Sequence, residues 1–251
     1  LIADNDAANV DLEVQLEALS ALGVTLAQSG RMEEADAFAV RVLEELEAAG
    51  LADSWAAGEA LRIRAAAADI AGRPEDAVRF NLAAGERLSA ALGADHAETL
   101  LNDVTRALLL AEAGEIDAAA ALVRQTLDAA DQALAPDSLA LARLRVTAAA
   151  AAREAGAARP AVMLLAAGEA GLAETLGAAH PQTLGARIML ADLLLSPDRY
   201  APADALSVIR QVTPEQGLET AGERRLRERS GVSAPAILHV EAAYAVAEGG
   251  R

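Results

Sequence analysis

The sequence predicts an all-α fold, a solenoid of tandem antiparallel helix hairpins. Three observations predict it: a glycine that returns every 42 residues, a composition that favours helix, and prolines confined to helix starts and connections. Gly30, Gly72, Gly114 and Gly156 keep that 42-residue spacing without exception. Five residues after each stands an alanine, Ala35, Ala77, Ala119 and Ala161, and one more period reaches Asp198 and Ala203. Seven residues before each glycine lies a small residue: Gly23, Ala65, Ala107 and Ala149, followed by Ala191. A third column, eight after the glycine, is large and apolar: Phe38, Phe80, Leu122, Leu164 and Leu206. The register is expected to run through five units without an insertion.

Each column has a mechanical meaning. A glycine between two helix-forming runs caps the first helix in a left-handed conformation and starts the turn. The small residue before it and the alanine after it let the two helices of a hairpin approach closely, and the large apolar column fills the space beside them. Each period therefore reads as helix A, a short turn and helix B.

Taken in order, the A helices are expected at 11–29, 53–71, 95–113, 137–155 and 179–195, and the B helices at 32–49, 74–92, 116–134, 158–176 and 200–212. Pro74, Pro160 and Pro202 fall in the first turns of B helices, and Pro136 and Pro181 stand where A helices begin. Pro197, Pro214 and Pro235 fall in connections. The fifth unit is degenerate because Ser196, Pro197 and Asp198 replace the capping glycine. After Val212 the period fails, and two irregular helices at 217–230 and 235–248 are expected to cap the array. The organisation is thus an extension at 1–10, five units over 11–212, and a cap over 213–251.

Composition bounds the function. A chain of 251 residues with 53% hydrophobic content builds a substantial core. Alanine makes up roughly a quarter of it, which suits closely packed helices. Five aromatic residues give few walls for a cofactor pocket or for base stacking. A formal charge of −17 opposes nucleic-acid binding. The chain has no cysteine and hence no thiolate, disulfide or usual structural zinc site. No apolar run approaches a membrane span; the longest, Val146 to Ala152, is mostly alanine. The first residue is Leu1, and Leu1 to Val10 carries no signal-peptide pattern, so the chain reads as part of a longer cytoplasmic polypeptide.

The small–glycine–alanine spacing resembles the tetratricopeptide repeat (TPR), and the 42-residue unit resembles the kinesin light chain variety, whereas the usual unit has about 34 residues. The loop of that variety occurs twice, as Leu92-Gly93-Ala94-Asp95-His96-Ala97-Glu98-Thr99-Leu100 and as Leu176-Gly177-Ala178-Ala179-His180-Pro181-Gln182-Thr183-Leu184. The resemblance covers 11–212. It implies a right-handed superhelix whose A helices line a concave groove that binds a protein or peptide segment.

Mapped onto this sequence, that groove would present Glu59, Arg62, Asp69, Thr105, Glu112, Arg143, Thr147, Arg153 and Asp192 as partner-binding residues. Ile63, Ile70, Leu101, Val104, Leu108, Val146, Ile188 and Met189 would form its apolar centre. One departure stands out. Kinesin light chain repeats place an asparagine at one groove position, where its amide holds a peptide backbone, and here that column reads Ala21, Ile63, Thr105, Thr147, Met189.

The remaining polar features read as structural. His96 and His180 hold the same slot two periods apart and are expected to cap their loops, and His239 lies in an apolar stretch. No His-Glu-x-x-His, phosphate loop or nucleophile elbow is present, so no catalytic residue, metal or cofactor is assigned. Arg224, Arg225, Arg227 and Arg229 alternate with Glu219, Glu223 and Glu228 as a solvated face. Trp55 is expected to cover the first hairpin. Arg64 and Arg106 occupy a column that is normally core leucine, so each either serves the function or lays its stem along the surface.

These observations point to a non-enzymatic interaction module. Its cations, set against a strongly negative molecule, would select an acidic or carboxylate-bearing partner. Ala- and Arg-rich, Lys-free arrays of this type resemble bacterial ones, which often serve as the scaffold or sensor part of kinases or winged-helix regulators. The alternative reading is a ligand-gated sensor that closes on a small molecule or signalling peptide.

Overall fold

A computed structural model describes residues 31–195 and 201–209. The expected helix 11–29, the extension before it and the expected cap 213–251 lie outside the described residues. So do Gly30, His239, the 224–229 arginines and the C-terminal end of the fifth B helix.

The described residues form nine helices and no strand: α1 (Met32–Ala48), α2 (Trp55–Ile70), α3 (Pro74–Leu92), α4 (Ala97–Glu112), α5 (Ile116–Ala133), α6 (Leu139–Glu154), α7 (Ala158–Leu176), α8 (Pro181–Leu195) and α9 (Pro202–Ile209). They belong to two compact units, divided between Leu134 and Ala135. In the first, α1 packs on α2, α2 on α3, α3 on α4 and α4 on α5; in the second, α6 packs on α7, α7 on α8 and α8 on α9. Helices α2, α4, α6 and α8 are the expected A helices, and the others are B helices.

Hairpin turns follow the capping logic read from the sequence. At Gly72, Gly114 and Gly156, φ is +68°, +85° and +74°. The next residue donates its backbone N–H back to the helix just closed, Arg73 to Ala68 at 2.9 Å, Glu115 to Leu110 at 2.8 Å and Ala157 to Ala152 at 2.8 Å. The same closure ends α1 at Gly50, with Leu51 donating to Leu46 at 2.8 Å, outside the 42-residue column. A helices begin with side-chain caps: Ser54 Oγ accepts from the Ala57 N–H, and Ser138 Oγ from the Leu141 N–H.

The kinesin-light-chain-like loops hold themselves together. Buried Thr99 and Thr183 donate their hydroxyls to the Gly93 and Gly177 carbonyls at 2.9 and 3.0 Å. His96 and His180 accept through Nδ1 from the Glu98 and Gln182 N–H groups, both at 3.2 Å, which is the capping role expected of them.

The alanine column at the hairpin contact is fully enclosed at Ala35, Ala77, Ala119 and Ala161, and the facing column is buried at Ala65, Ala107, Ala149 and Ala191. The fifth unit corrects the expected register. Ala203 is exposed, and Ala205 is the enclosed residue. Ala201 donates to the Leu194 carbonyl, seven residues back, where Ala157 reaches Ala152 over five. Two extra residues therefore enter the turn that lacks a glycine, and α9 starts at Pro202.

In the first unit, α1 and α2 enclose Ala35, Phe38, Ala39, Val42, Leu46, Ala56, Ala57, Ala60 and Ile63, with Trp55 half-buried against them. In the second, Leu165, Leu172, Leu190, Leu193 and Leu194 surround the small contacts of α6 to α9. Ile63 and Val104 are buried rather than displayed, because each lies on the stripe of its helix that packs inward.

Candidate functional site

On the first unit, Glu59, Arg62 and Asp69 come from α2, and Thr105 and Glu112 from α4. Arg62 Nη1 donates to Glu59 Oε1 at 2.7 Å and to Glu98 Oε2 at 3.0 Å. Burial opposes the charge on Arg62, yet Glu59 and then Glu98 outweigh it and hold its pKa above the ordinary guanidinium value. A charged clip thereby joins the two A helices. Thr105 spends its hydroxyl on the Leu101 carbonyl at 2.8 Å. Asp69 and Glu112 are exposed at the C-terminal ends of α2 and α4.

On the second unit, exposed Arg143 donates from Nε to Gln182 Oε1 at 3.2 Å, which again links two A helices, α6 and α8. Thr147 donates to the Arg143 carbonyl at 3.3 Å. Arg153 meets its neighbour Glu154 at 3.0 Å and reaches Asp192 of α8 at 3.8 Å. The nine expected residues thus fall into two groups, one on each unit. Glu59 meets Arg62 and Arg153 meets Asp192, while Asp69 has no ion pair among the described residues.

This arrangement of A and B helices has counterparts of known structure. Two crystal structures of nearly identical TPR-like repeats come from a Podosopora anserina protein described as a kinesin light chain. One superposes with a TM-score of 0.59 at 19% identity over 86% of this chain and 96% of that one. The other gives 0.58 at 19% over 87% and 98%. BtubC (BKLC) from P. vanneervenii gives 0.56 at 14% over 93% and 89%. The chain has the TPR-like repeat fold. No family model and no curated protein matches the sequence.

Within the TPR-like hairpins, the column that carries asparagine in kinesin light chain repeats holds buried Ile63, back-bonded Thr105 and Thr147, and half-buried Met189. None of these offers an amide to a peptide backbone. The two linking partners of the A-helix arginines, Glu98 and Gln182, are not among the expected site residues. Their signal was in the sequence: they hold the same slot two periods apart, two residues after the loop histidine.

Several A-helix arginines serve the hairpins themselves. Arg64 stacks over the Phe80 ring, 4.1 Å from its centre, and donates to Asp36 at 3.0 Å, which satisfies a charge in a column usually filled by leucine. Arg106 pairs with Asp103 at 3.0 Å. Burial raises the pKa of the Asp103 carboxyl and Arg106 acts against that rise. Arg187 is only 6% exposed and donates to Glu169 Oε1 at 2.6 Å and to the Ala178 carbonyl at 2.9 Å. Among the described residues no cluster of metal-ligating side chains occurs, and no helix is long and apolar enough to cross a membrane.

Proposed function

We propose that this chain is a non-enzymatic interaction module, in which the A-helix faces of TPR-like hairpins bind a protein or peptide segment as the scaffold or sensor part of a larger signalling or regulatory protein. The observation that carries this reading is the pair of links between successive A helices, Arg62 to Glu98 and Arg143 to Gln182. Each link joins two helices that belong to different hairpins, so one extended ligand would touch both.

On the second unit Arg143 is the group that would read an acidic side chain of the partner. Its partner is the neutral amide of Gln182, and among the described residues no adjacent carboxylate cancels its charge. Arg153, already against Glu154 and Asp192, contributes less.

The test is to isolate the natural partner on the immobilised chain and then measure its affinity for Arg143→Ala and for Arg159→Ala on the outer side of α7. The reading requires Arg143→Ala to weaken binding severalfold at low salt and less at high salt, with Arg159→Ala near the parent. Loss of binding only in the α7 variant would move the working surface to the B helices.

A further inference from the structure

We infer that two copies of this chain pair through the outer face of α7, antiparallel and about a two-fold axis that passes between Ala166 and Ala167. The surface lies on a B helix, so the inference does not depend on the use of the A-helix faces.

Arg159, Met163, Ala166, Ala167, Ala170 and Glu174 are exposed, and helical spacing sets them on one narrow stripe of α7. Met163 is 65% exposed. Between the two charged ends the exposed residues carry no charge. Glu169, the one charged residue of that stretch, is half-buried and accepts from Arg187. The repeat does not demand such a face. One period earlier the stripe of α5 displays Arg124, Gln125 and Asp128, and two periods earlier that of α3 displays Arg79 and Glu86, all exposed.

The charges at the two ends have the wrong signs for a helix that stands alone. Each of α1, α3, α5 and α9 carries an acidic residue in its first turn, whereas α7 has none there and carries Arg159. Glu174 lies in the last turn of α7, which contains no basic residue. A cation at the N-terminus and an anion at the C-terminus both oppose the helix dipole. Among the described residues neither Arg159 nor Glu174 has an ion-pair partner.

An antiparallel second copy reverses both penalties. Arg159 and Glu174 stand equally far from the midpoint between Ala166 and Ala167, and so do Met163 and Ala170. Turning the same stripe end for end therefore sets Arg159 against Glu174 of the second copy, twice by symmetry, and brings each charge to the helix end that favours it. Met163 meets Ala170 of the second copy, large on small. The alanines at the crossing allow the helix axes to approach to about 8 Å. A parallel arrangement would instead put like charge on like at both ends. Two copies of charge −17 repel each other, and this face brings no net charge to their contact.

Sedimentation equilibrium of the full chain over a concentration series tests the inference. The expected result is a reversible monomer–dimer equilibrium. R159E and E174R, whose stripes then end in charges of one sign, should each weaken it roughly tenfold at low salt, because symmetry makes every substitution count twice. An equimolar mixture of R159E and E174R should associate more strongly than either variant alone, since one stripe then ends in two carboxylates and the other in two guanidiniums. That recovery also shows that both variants are folded. Met163→Glu, which charges the centre of the contact, should leave monomer. A parent that stays monomeric up to about 1 mM would overturn the inference and leave the stripe to another occupant. A dimer that survives Met163→Glu would overturn it by placing the interface elsewhere, and a mixture no stronger than its components would overturn the antiparallel pairing.

Discussion

Ala201 donates its backbone N–H to the Leu194 carbonyl at 2.7 Å, a closure over seven residues where the hairpins capped by glycine close over five. The extra length moves the close contact of the fifth hairpin to Ala205. We expect Ala205→Leu to cost on the order of 1 to 3 kcal/mol, as added volume in a packed contact does. Ala203→Leu, on an exposed position, should stay within about 0.5 kcal/mol. Chemical denaturation of the two variants checks this; equal effects would return the contact to the 42-residue register.

Arg187 and Glu169 tie α8 to α7 through a guanidinium buried at 6% exposure. Glu169→Ala removes one of the groups that hold this buried charge. The expected loss is about 2 kcal/mol, below the 3 to 5 kcal/mol of a fully buried pair because the Ala178 carbonyl also holds the guanidinium. A melting curve that matches the parent's would show that solvent replaces Glu169.

Gly168 lies within α7, where alanine would ordinarily favour the helix by about 1 kcal/mol. Here an added Cβ would stand 2.7 Å from Val146 Cγ2 and 3.0 Å from the Ala142 carbonyl oxygen. Backbone cannot yield as a side-chain tip does, so Gly168→Ala should destabilise by about 1 to 3 kcal/mol. Stabilisation by this substitution would mean that α6 and α7 stand further apart.

Asp103 supplies a pH signature. Its folded pKa lies above the ordinary aspartate value because burial disfavours the carboxylate, so the folded state binds its proton more tightly than the unfolded chain. Its contribution to stability is therefore greatest at pH below the ordinary aspartate pKa and declines as pH rises through the raised value. The stability of the parent minus that of Asp103→Asn should fall across that window and flatten above it. A difference that rises instead would show that Arg106 dominates the site.

The repeat was legible from the sequence because its signals are local. A glycine with positive φ, a small residue at a helix contact and a threonine that closes its own loop each act within a few residues, so spacing alone placed Gly72, Gly114, Gly156, Ala77, Ala119 and Ala161. The register of the fifth unit was not legible, since Ser196 to Asp198 signals a lost cap without stating how long the turn becomes. Gly50 likewise closes α1 outside the period.

Which charges meet across different helices was decided by tertiary structure. Periodicity put Arg62, Arg143 and Arg153 on one kind of face, yet a guanidinium at the end of a long side chain chooses among carboxylates brought near by other hairpins. Packing gave Arg62 a second carboxylate, Glu98, beside Glu59 of its own helix, gave Arg187 to Glu169, and left Arg143 beside an amide. The division into two compact units also arises from contacts between helices, which the even 42-residue period does not register. Helix type and hairpin geometry follow from short-range sterics and hydrogen bonds written along the chain, while the sign of each face follows from long-range neighbours that only the folded chain assembles.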